Sequence, residues 1–257
     1  MCRFDATETR ALLRQQNVCT IVPTYNNAAT LRDVVERVLD YCEDVIVVND
    51  GCTDGSAGIL AAFGKRITVV DDGRNRGKGY ALKQGFRKAK RLGFDHALTI
   101  DSDGQHFPED IPLFAKALRE HQGALLVGSR NLKQENMPGK NTFANKFSNF
   151  WFMLQTGIRL PDTQTGFRMY PLRRLPKIFS ARYEAELALL VLSAWKGNEL
   201  IPVKINVFYP KGEHRVTHFR PFWDFFRISL LNVALCIGAV FGWPARWIHI
   251  LLRRGKT

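Results

Sequence analysis

Short, almost wholly apolar runs alternate with amphipathic stretches through the first half of the chain. Val18-Cys-Thr-Ile-Val22, Val45-Ile-Val-Val48, Ile67-Thr-Val-Val70, Ala97-Leu-Thr-Ile100 and Ala124-Leu-Leu-Val127 read as strands. Between the first two, Leu31, Val34, Val35, Val38 and Leu39 recur at helical spacing, which predicts a helix from about Thr30 to Tyr41. Further helices are predicted up to about Phe63, up to about Leu92, and onward from Pro108, where Glu109-Asp110 suit a helix start. Near-continuous apolar strands alternating with helices predict an α/β fold, a mostly parallel sheet covered by helices on both faces. Residues 1–16 read as a loose or helical lead-in.

Beyond Arg130 the alternation breaks. Residues 131–140 are polar and contain Pro138-Gly139, the pattern of a mobile loop. A helix carrying Phe143, Phe147, Phe150, Trp151 and Leu154 on one side is expected next, then a polar cluster, Pro161-Asp-Thr-Gln-Thr-Gly-Phe-Arg168. Tyr183–Trp195 reads as a helix holding Glu184 and Glu186, and Ile201, Val203, Ile205 and Val207 alternate as in an amphipathic strand. The tail brings Lys211, Arg215, His218, Arg220 and Arg227 with Phe222, Trp223, Phe225 and Phe226 before the apolar run Ile228–Trp243. At 16 residues that run is short of the roughly 20 needed to span a bilayer, so an interfacial or re-entrant apolar helix, or a buried helix pair, is expected.

Composition sharpens this picture. With 46% hydrophobic and 24% charged residues, the 257-residue chain has the make-up of a folded protein with a full core. Residues 1–129 carry 17 Lys and Arg against 17 Asp and Glu, whereas residues 130–257 carry 20 against 7, so the whole net charge of +13 lies in the second half. A basic half implies an anionic partner: nucleic acid, a membrane surface or a phosphorylated substrate. Nucleic acid is not expected, because the aromatic residues cluster beside apolar runs and do not interleave with Lys and Arg on a strand. The five scattered cysteines form no C-x-x-C pair, which suits reduced thiols, and the polar N-terminus gives no sign of a signal peptide.

Candidate chemistry sits where strands run out into loops, the edge at which open α/β sheets bind ligands. The first loop offers Pro23, Tyr25 and Asn26, the second Asp50 and Asp54, and the fourth Asp101, Asp103 and Gln105. Two carboxylates at i and i+2 with an amide at i+4 can supply oxygens to Mg²⁺ or Mn²⁺. A lone D-x-D is more often a solvated turn with a capping Asp, so its company decides. The glycine-rich, basic stretch Gly73–Gly79 either carries backbone past phosphates or is a flexible turn, and it is not a P-loop.

Five motifs in order resemble the family 2 glycosyltransferases of GT-A fold, above all the dolichol- and polyprenyl-phosphate sugar transferases. They are Pro23-Thr-Tyr-Asn26, Val48-Asn-Asp-Gly-Cys-Thr-Asp-Gly55, Asn75-Arg-Gly-Lys-Gly79, Asp101-Ser-Asp-Gly-Gln-His106 and Asp162-Thr-Gln-Thr-Gly-Phe-Arg168. The resemblance implies a GT-A, Rossmann-like nucleotide-binding domain over residues 1–220, its donor half at about 18–130 and its acceptor half at about 131–220. A membrane-associating helical tail follows over 221–257. It implies that Pro23, Tyr25, Asp50, Lys78 and Asp101 bind the nucleotide sugar and that Asp103 and Gln105 hold Mg²⁺ or Mn²⁺. Arg130, Arg168, Arg215 and Arg220 then bind the acceptor, and Asp162 with Asp103 is catalytic. Asp162 serves as general base if the acceptor is a hydroxyl and positions it if the acceptor is a phosphate. Glu184 and Glu186 are a rival pair for the base, or the exposed face of their helix. Asn27 and Asn49 stand where the family pattern has acidic residues, which leaves the nucleotide, UDP- or GDP-linked, open. The implied activity is inverting, metal-dependent transfer of a sugar to a lipid-linked acceptor at the cytoplasmic face of a membrane, by a peripheral or re-entrant protein. A lipid or glycan hydroxyl is the alternative acceptor, and a nucleotidyltransferase the alternative class.

Overall fold

The computed structural model describes residues 5–130, 139–177, 182, 184–208 and 227–240, with side chains in the helix after Gly139 described from Ala144 on. Helix α1 (Ala6–Gln15) leads into strand β1 (Val18–Thr24), followed by α2 (Ala28–Leu39), β2 (Val45–Asn49), α3 (Ser56–Phe63) and β3 (Thr68–Asp71). Then come α4 (Lys78–Arg91), β4 (His96–Thr99), α5 (Ile111–Glu120), β5 (Leu125–Arg130), α6 (Gly139–Thr156), β6 (Arg168–Pro171), α7 (Glu184–Trp195) and β7 (Leu200–Ile205). Residues 227–240 form a further helix, α8. The loop expected over 131–140 therefore ends earlier, because Gly139 and Lys140 already belong to α6, and residues 131–138 lie outside the described residues.

One seven-stranded sheet runs in the order β3-β2-β1-β4-β6-β5-β7. Neighbours pair in parallel except β6, which is antiparallel to both β4 and β5. β6 was not expected from the sequence: its four residues follow a polar cluster, and no alternation marks them. Its reversed direction matters for the site. A strand running backward starts at the edge where β1, β2, β4 and β5 end, so the polar cluster before Arg168 is delivered to that edge.

Alternate strand residues feed two cores. Val22, Val47, Leu98, Leu126 and Met169 pack toward Leu31, Val35, Phe114 and Leu118 of α2 and α5. Ile21, Ile46, Ala97, Leu125 and Tyr170 pack toward Leu82, Phe86, Phe152 and Leu190 of α4, α6 and α7. Burial on both faces is why β1 and β2 read as unbroken apolar runs and show no alternation.

Helices α6 and α8 turn their amphipathicity around. α6 buries Asn145, Phe152 and Gln155 while Phe147, Phe150 and Leu154 stand 41%, 53% and 49% exposed. α8 buries Asn232, Leu235 and Ala239 while Leu230, Val233, Ile237 and Val240 are 54–67% exposed. The Gln155 amide joins the two helices by donating to the Asn232 side chain at 2.9 Å, and Trp195 Nε1 donates to the Gln155 carbonyl at 3.0 Å. Spacings of three and four residues place each exposed set on one helix face. Among the described residues no helix is long and apolar enough to cross a membrane. Cys19 and Cys42 are buried, Cys52 and Cys236 partly so, and all four are unpaired.

Candidate active site

The donor loops are tied to one another by carboxylates. Asp50, just past β2, accepts the backbone N–H of Arg76 at 2.9 Å and of Gly77 at 2.8 Å, which fixes the glycine-rich loop at the start of α4. Burial pushes the Asp50 carboxyl above its ordinary range, and the two amides work against that shift. Gly51, at φ 70°, lies so close to this loop that a Cβ would meet the Arg74 carbonyl carbon and Asn75 nitrogen at 2.4 Å. Asp54 accepts the Ala28 N–H at 2.9 Å and so binds the second loop to the start of α2. The Asn26 amide holds Thr53, and Pro23 lies buried within β1 with Tyr25 half-buried just beyond the strand. Asn49 donates to Asp71 at 2.7 Å and Asn27 to Ser102 at 2.9 Å, so the two departures from the family pattern are engaged in joining loops.

Lys78, the first residue of α4, lies between two carboxylates. Its Nζ is 2.8 Å from Asp101 Oδ1, 2.9 Å from Asp101 Oδ2 and 2.9 Å from Glu186 Oε2. Burial acts to raise the Asp101 carboxyl, but the ammonium beside it wins and holds it below the usual range. Asp103 moves the other way, raised by burial and by its neighbour Asp101, while the Gln105 N–H it accepts at 3.0 Å partly offsets both. A half-buried carboxylate pair with one ammonium between it and Glu186 leaves Asp103 short of positive charge, and a hard divalent ion would supply it. The oxygens of Asp101, Asp103 and the Gln105 amide therefore fit Mg²⁺ or Mn²⁺. Among the described residues no further His, Cys, Asp or Glu completes a three-member metal cluster, so remaining ligands would come from water and diphosphate.

His106 is buried behind this loop, its ring edge-on to Phe167 with centroids 5.5 Å apart. Desolvation lowers its pKa against the pull of Asp101 and Asp103 and favours the neutral imidazole. A bridge from His106 to Val207, and the Phe208 N–H donated to the Gln105 carbonyl at 2.9 Å, fasten the loop to the chain after β7.

On the acceptor side Asp162 is wholly buried. Its oxygens accept from Arg130 Nε at 2.5 Å and Nη2 at 2.9 Å, from Asn145 Nδ2 at 2.6 Å and from the Gln164 N–H at 3.0 Å. Burial alone would raise its pKa, and these donors, Arg130 first, hold it below the ordinary carboxylate range. A carboxylate with this many donors is a strong tie between its own loop, β5 and α6. Arg168, expected on the acceptor side, also sits in this network. It is fully buried and donates to the Glu186 carbonyl at 2.7 Å and the Thr163 carbonyl at 2.8 Å, holding loop and α7 together. Glu184 and Glu186 are not an exposed helix face either, since Glu184 pairs with Arg227 at 3.6 Å and Glu186 with Lys78. Arg130 reaches the same edge, half-buried. Arg215, Arg220 and the aromatic tail residues lie outside the described residues.

Sequence reasoning missed three contributors. Asn145 and Asn149 project from the polar face of α6 to hold residues 161–163, a role hidden by the helix's apolar side. Gly166 is the third: a Cβ there would lie 2.7 Å from Asp101 Oδ2, 2.9 Å from Lys78 Nζ and 3.1 Å from Glu186 Oε1. Its missing side chain lets the loop pass close over these charged groups, and the T-G-F-R spacing is the signal that marks it. A separate cavity of about 610 Å³ opens at the opposite edge of the sheet, among Gln16, Asn17, His96, Gln122 and Arg174, and no candidate site residue lines it.

Comparison with known proteins agrees with this geometry. The family described as "Glycosyl transferase family 2" matches residues 19–178. Undecaprenyl-phosphate mannosyltransferase of Micrococcus luteus is 30% identical over 93% of this chain and 99% of its own length. The UDP-N-acetylglucosamine–dolichyl-phosphate N-acetylglucosaminyltransferase of Methanococcus voltae is 28% identical, over 72% of this chain and 83% of its own. Among solved structures, glucosyl-3-phosphoglycerate synthase of Mycobacterium tuberculosis with Mn²⁺, UDP and glucosyl-3-phosphoglycerate superposes with a TM-score of 0.66 at 18% identity. That match covers 92% of this chain and 84% of the other, and with the sheet order it shows the GT-A fold.

Proposed function

The chain belongs to glycosyl transferase family 2 and is a glycosyltransferase, and from that premise we propose that it moves a sugar from a nucleotide sugar to a polyprenyl-phosphate acceptor, with inversion. The observation that carries the choice of acceptor is the state of Asp162. With both oxygens filled by Arg130, Asn145 and Gln164, it has no lone pair set aside for a proton. A hydroxyl acceptor needs a base, whereas a phosphate monoester is already an anion. Relatives named for undecaprenyl-phosphate and dolichyl-phosphate support the same choice.

In this reading a phosphate oxygen of the lipid attacks the anomeric carbon from the face opposite the leaving group. The carbon–oxygen bond to the nucleotide diphosphate breaks, and the diphosphate leaves with the electron pair. One displacement inverts the centre and needs no proton transfer. The loops at Pro23–Tyr25 and Asp50 frame the nucleotide, Asp50 by fixing the 73–77 backbone whose amides open α4. Lys78 is the cation placed to meet the diphosphate. Mg²⁺ or Mn²⁺ held by Asp103 and Gln105, with Asp101 beside them, would neutralise charge on the departing diphosphate, a contribution of several kcal/mol. Arg130, clamped by Asp162 at the end of β5, positions the acceptor side, and the basic residues Arg215 and Arg220 complete it.

The domain division follows: residues 1–220 form the catalytic unit, donor half 18–130 and acceptor half 131–220, and 221–257 the membrane-associating tail. The outward apolar faces of α6 and α8 support docking on a membrane surface, at its cytoplasmic face, where a lipid-linked acceptor is presented.

The test is to incubate full-length protein with labelled UDP- and GDP-sugars, undecaprenyl or dolichyl phosphate, and Mn²⁺. Label should enter an acid-labile lipid phosphosugar of inverted anomeric configuration and be lost in EDTA. Transfer to glycan or lipid hydroxyls with polyprenyl phosphate inert overturns the acceptor, and release of pyrophosphate when a nucleoside triphosphate and a sugar 1-phosphate replace the nucleotide sugar overturns the reaction class.

A further inference from the structure

Lys78 and Glu186 lie 108 positions apart in sequence, on the first turns of α4 and α7, yet meet over Asp101. The three side chains are only 17%, 13% and 22% exposed, so their charges are weakly screened. An ammonium has three N–H donors. In this structure two oxygens of Asp101 and one of Glu186 lie within 2.9 Å of it. Asp101 is thus already held by a cation at the place where a divalent ion would need it. For Asp101 to turn an oxygen to Mg²⁺ or Mn²⁺, Lys78 must loosen its hold, and a buried ammonium cannot be left unpaired cheaply. Glu186 supplies the second carboxylate. Gly166, with no side chain, leaves the space in which Nζ shifts between them. Arg168, the other buried cation facing the group, donates its hydrogen bonds to the Glu186 and Thr163 carbonyls and to Tyr170, while its charge also favours the ionised Asp101.

We propose that Lys78 is a built-in counter-cation of the divalent site, and that Glu186 is the positioning residue that takes over its ammonium when the divalent ion claims Asp101. This rests on the metal-dependent reading above and adds a coupling to it. Lys78 and the metal compete for Asp101, so anything that draws Lys78 away strengthens metal binding. The donor diphosphate is such a group, because an ammonium between carboxylates also pairs with phosphate oxygens. Donor and metal therefore assist one another through Lys78 as well as through their own contact, a reciprocal coupling.

Mn²⁺ binding to the full chain without nucleotide, followed by calorimetry or electron paramagnetic resonance, tests this. Lys78→Met should bind Mn²⁺ about tenfold tighter and Glu186→Gln about tenfold weaker than the unmodified protein, the size of ordinary site–site coupling. In the Lys78→Met background, Glu186→Gln should have no further effect, because Glu186 acts only through the ammonium. A general electrostatic field would instead make the two effects add, and additivity overturns the proposal. A second readout uses turnover: Glu186→Gln should raise the Mn²⁺ concentration for half-maximal transfer and leave kcat at saturating Mn²⁺ unchanged. A fall in kcat there makes Glu186 a catalytic residue and overturns the positioning role. Should Lys78→Met alone not fold, the double variant, which removes both charges, must bind Mn²⁺ at least as tightly as the unmodified protein; weaker binding overturns the proposal. If the unmodified protein binds no Mn²⁺ even with UDP or GDP present, the metal assignment falls and this inference with it; additive effects with Mn²⁺ binding intact sink this inference alone.

Discussion

Asp50 and Asp162 stand at the same edge of the sheet, one in the donor half and one in the acceptor half, and do different work. Asp50, only 6% exposed, reaches across to backbone amides of Arg76 and Gly77. Asp162 is sealed and binds the side chains of two other elements, Arg130 at the end of β5 and Asn145 on α6. The donor half is a set of strands and helices packed through apolar cores, with carboxylates added to shape loops. In the acceptor half a buried polar network itself joins β5, α6, β6 and α7, through Asp162, Asn149, Thr163 and Arg168. Removing a carboxylate should therefore loosen a loop in the first half and undo tertiary structure in the second.

Asp162→Ala should give the largest loss. It removes the carboxylate paired with the largely buried Arg130 guanidinium, which costs about 3–5 kcal/mol of unfolding free energy. Denaturant unfolding measures it, and a change under about 1 kcal/mol would abolish the contrast, being the size of an exposed pair. The pH dependence has a definite sign. Burial raises the Asp162 carboxyl but its donors lower it further, so its folded-state value lies below the unfolded one. Its stabilisation is therefore fully present above the ordinary Asp value near ~4 and is lost as pH falls through the depressed folded value. The alanine variant should show a flatter acid limb than the unmodified protein.

Asp50→Ala should do less to the fold and more to the donor. Two hydrogen bonds to a charged acceptor are lost from a loop, about 1.5–3 kcal/mol each at most and less where water can reach the freed amides. Binding of UDP or GDP, read by calorimetry, should fall by more than tenfold, while the unfolding midpoint moves less than in Asp162→Ala. Gly51→Ala sharpens the point by leaving Asp50 in place: its Cβ would meet loop backbone at 2.4 Å and its φ of 70° is strained for alanine. It should lose nucleotide in the same way, and intact binding in both variants would remove the 73–77 loop from the donor site.

The same contrast explains what could be read from the sequence. Donor-half strands were visible because Val18–Val22 and Val45–Val48 are buried on both faces and need no alternation. Their loops were visible because parallel strands must end at one edge. β6 was not, since a four-residue strand is set by the hydrogen bonds of its neighbours more than by its own pattern. Asp162 and Arg168 were found as residues but not as structural ties, because their partners lie 32, 17 and 18 positions away. A polar cluster looks alike in sequence whether it faces substrate or core. The apolar side of α6 could be read as a side but not as facing in or out, and Phe147, Phe150 and Leu154 stand outward with Asn145 inward.

That inversion supplies the smallest effect on stability and the last test. Phe150→Ser and Ile237→Ser remove side chains that are 53% and 54% exposed, so unfolding free energy should change by no more than about 0.5 kcal/mol. If these faces lie against a membrane, each side chain gives up about 1.5–3 kcal/mol of burial when truncated. Affinity for anionic vesicles should then drop roughly ten- to hundredfold per site, with UDP or GDP binding unchanged. Salt separates this from the basic residues: screening acts over a Debye length of about 8–10 Å and weakens charge attraction, whereas the apolar part persists. The loss in Phe150→Ser should accordingly be the same at low and high salt. Equal vesicle binding by the serine variants and the unmodified protein would leave the polar-in, apolar-out helices without a lipid partner. A drop in unfolding free energy of 2 kcal/mol or more, the scale of a buried side chain, would mean that these faces are covered within the protein itself.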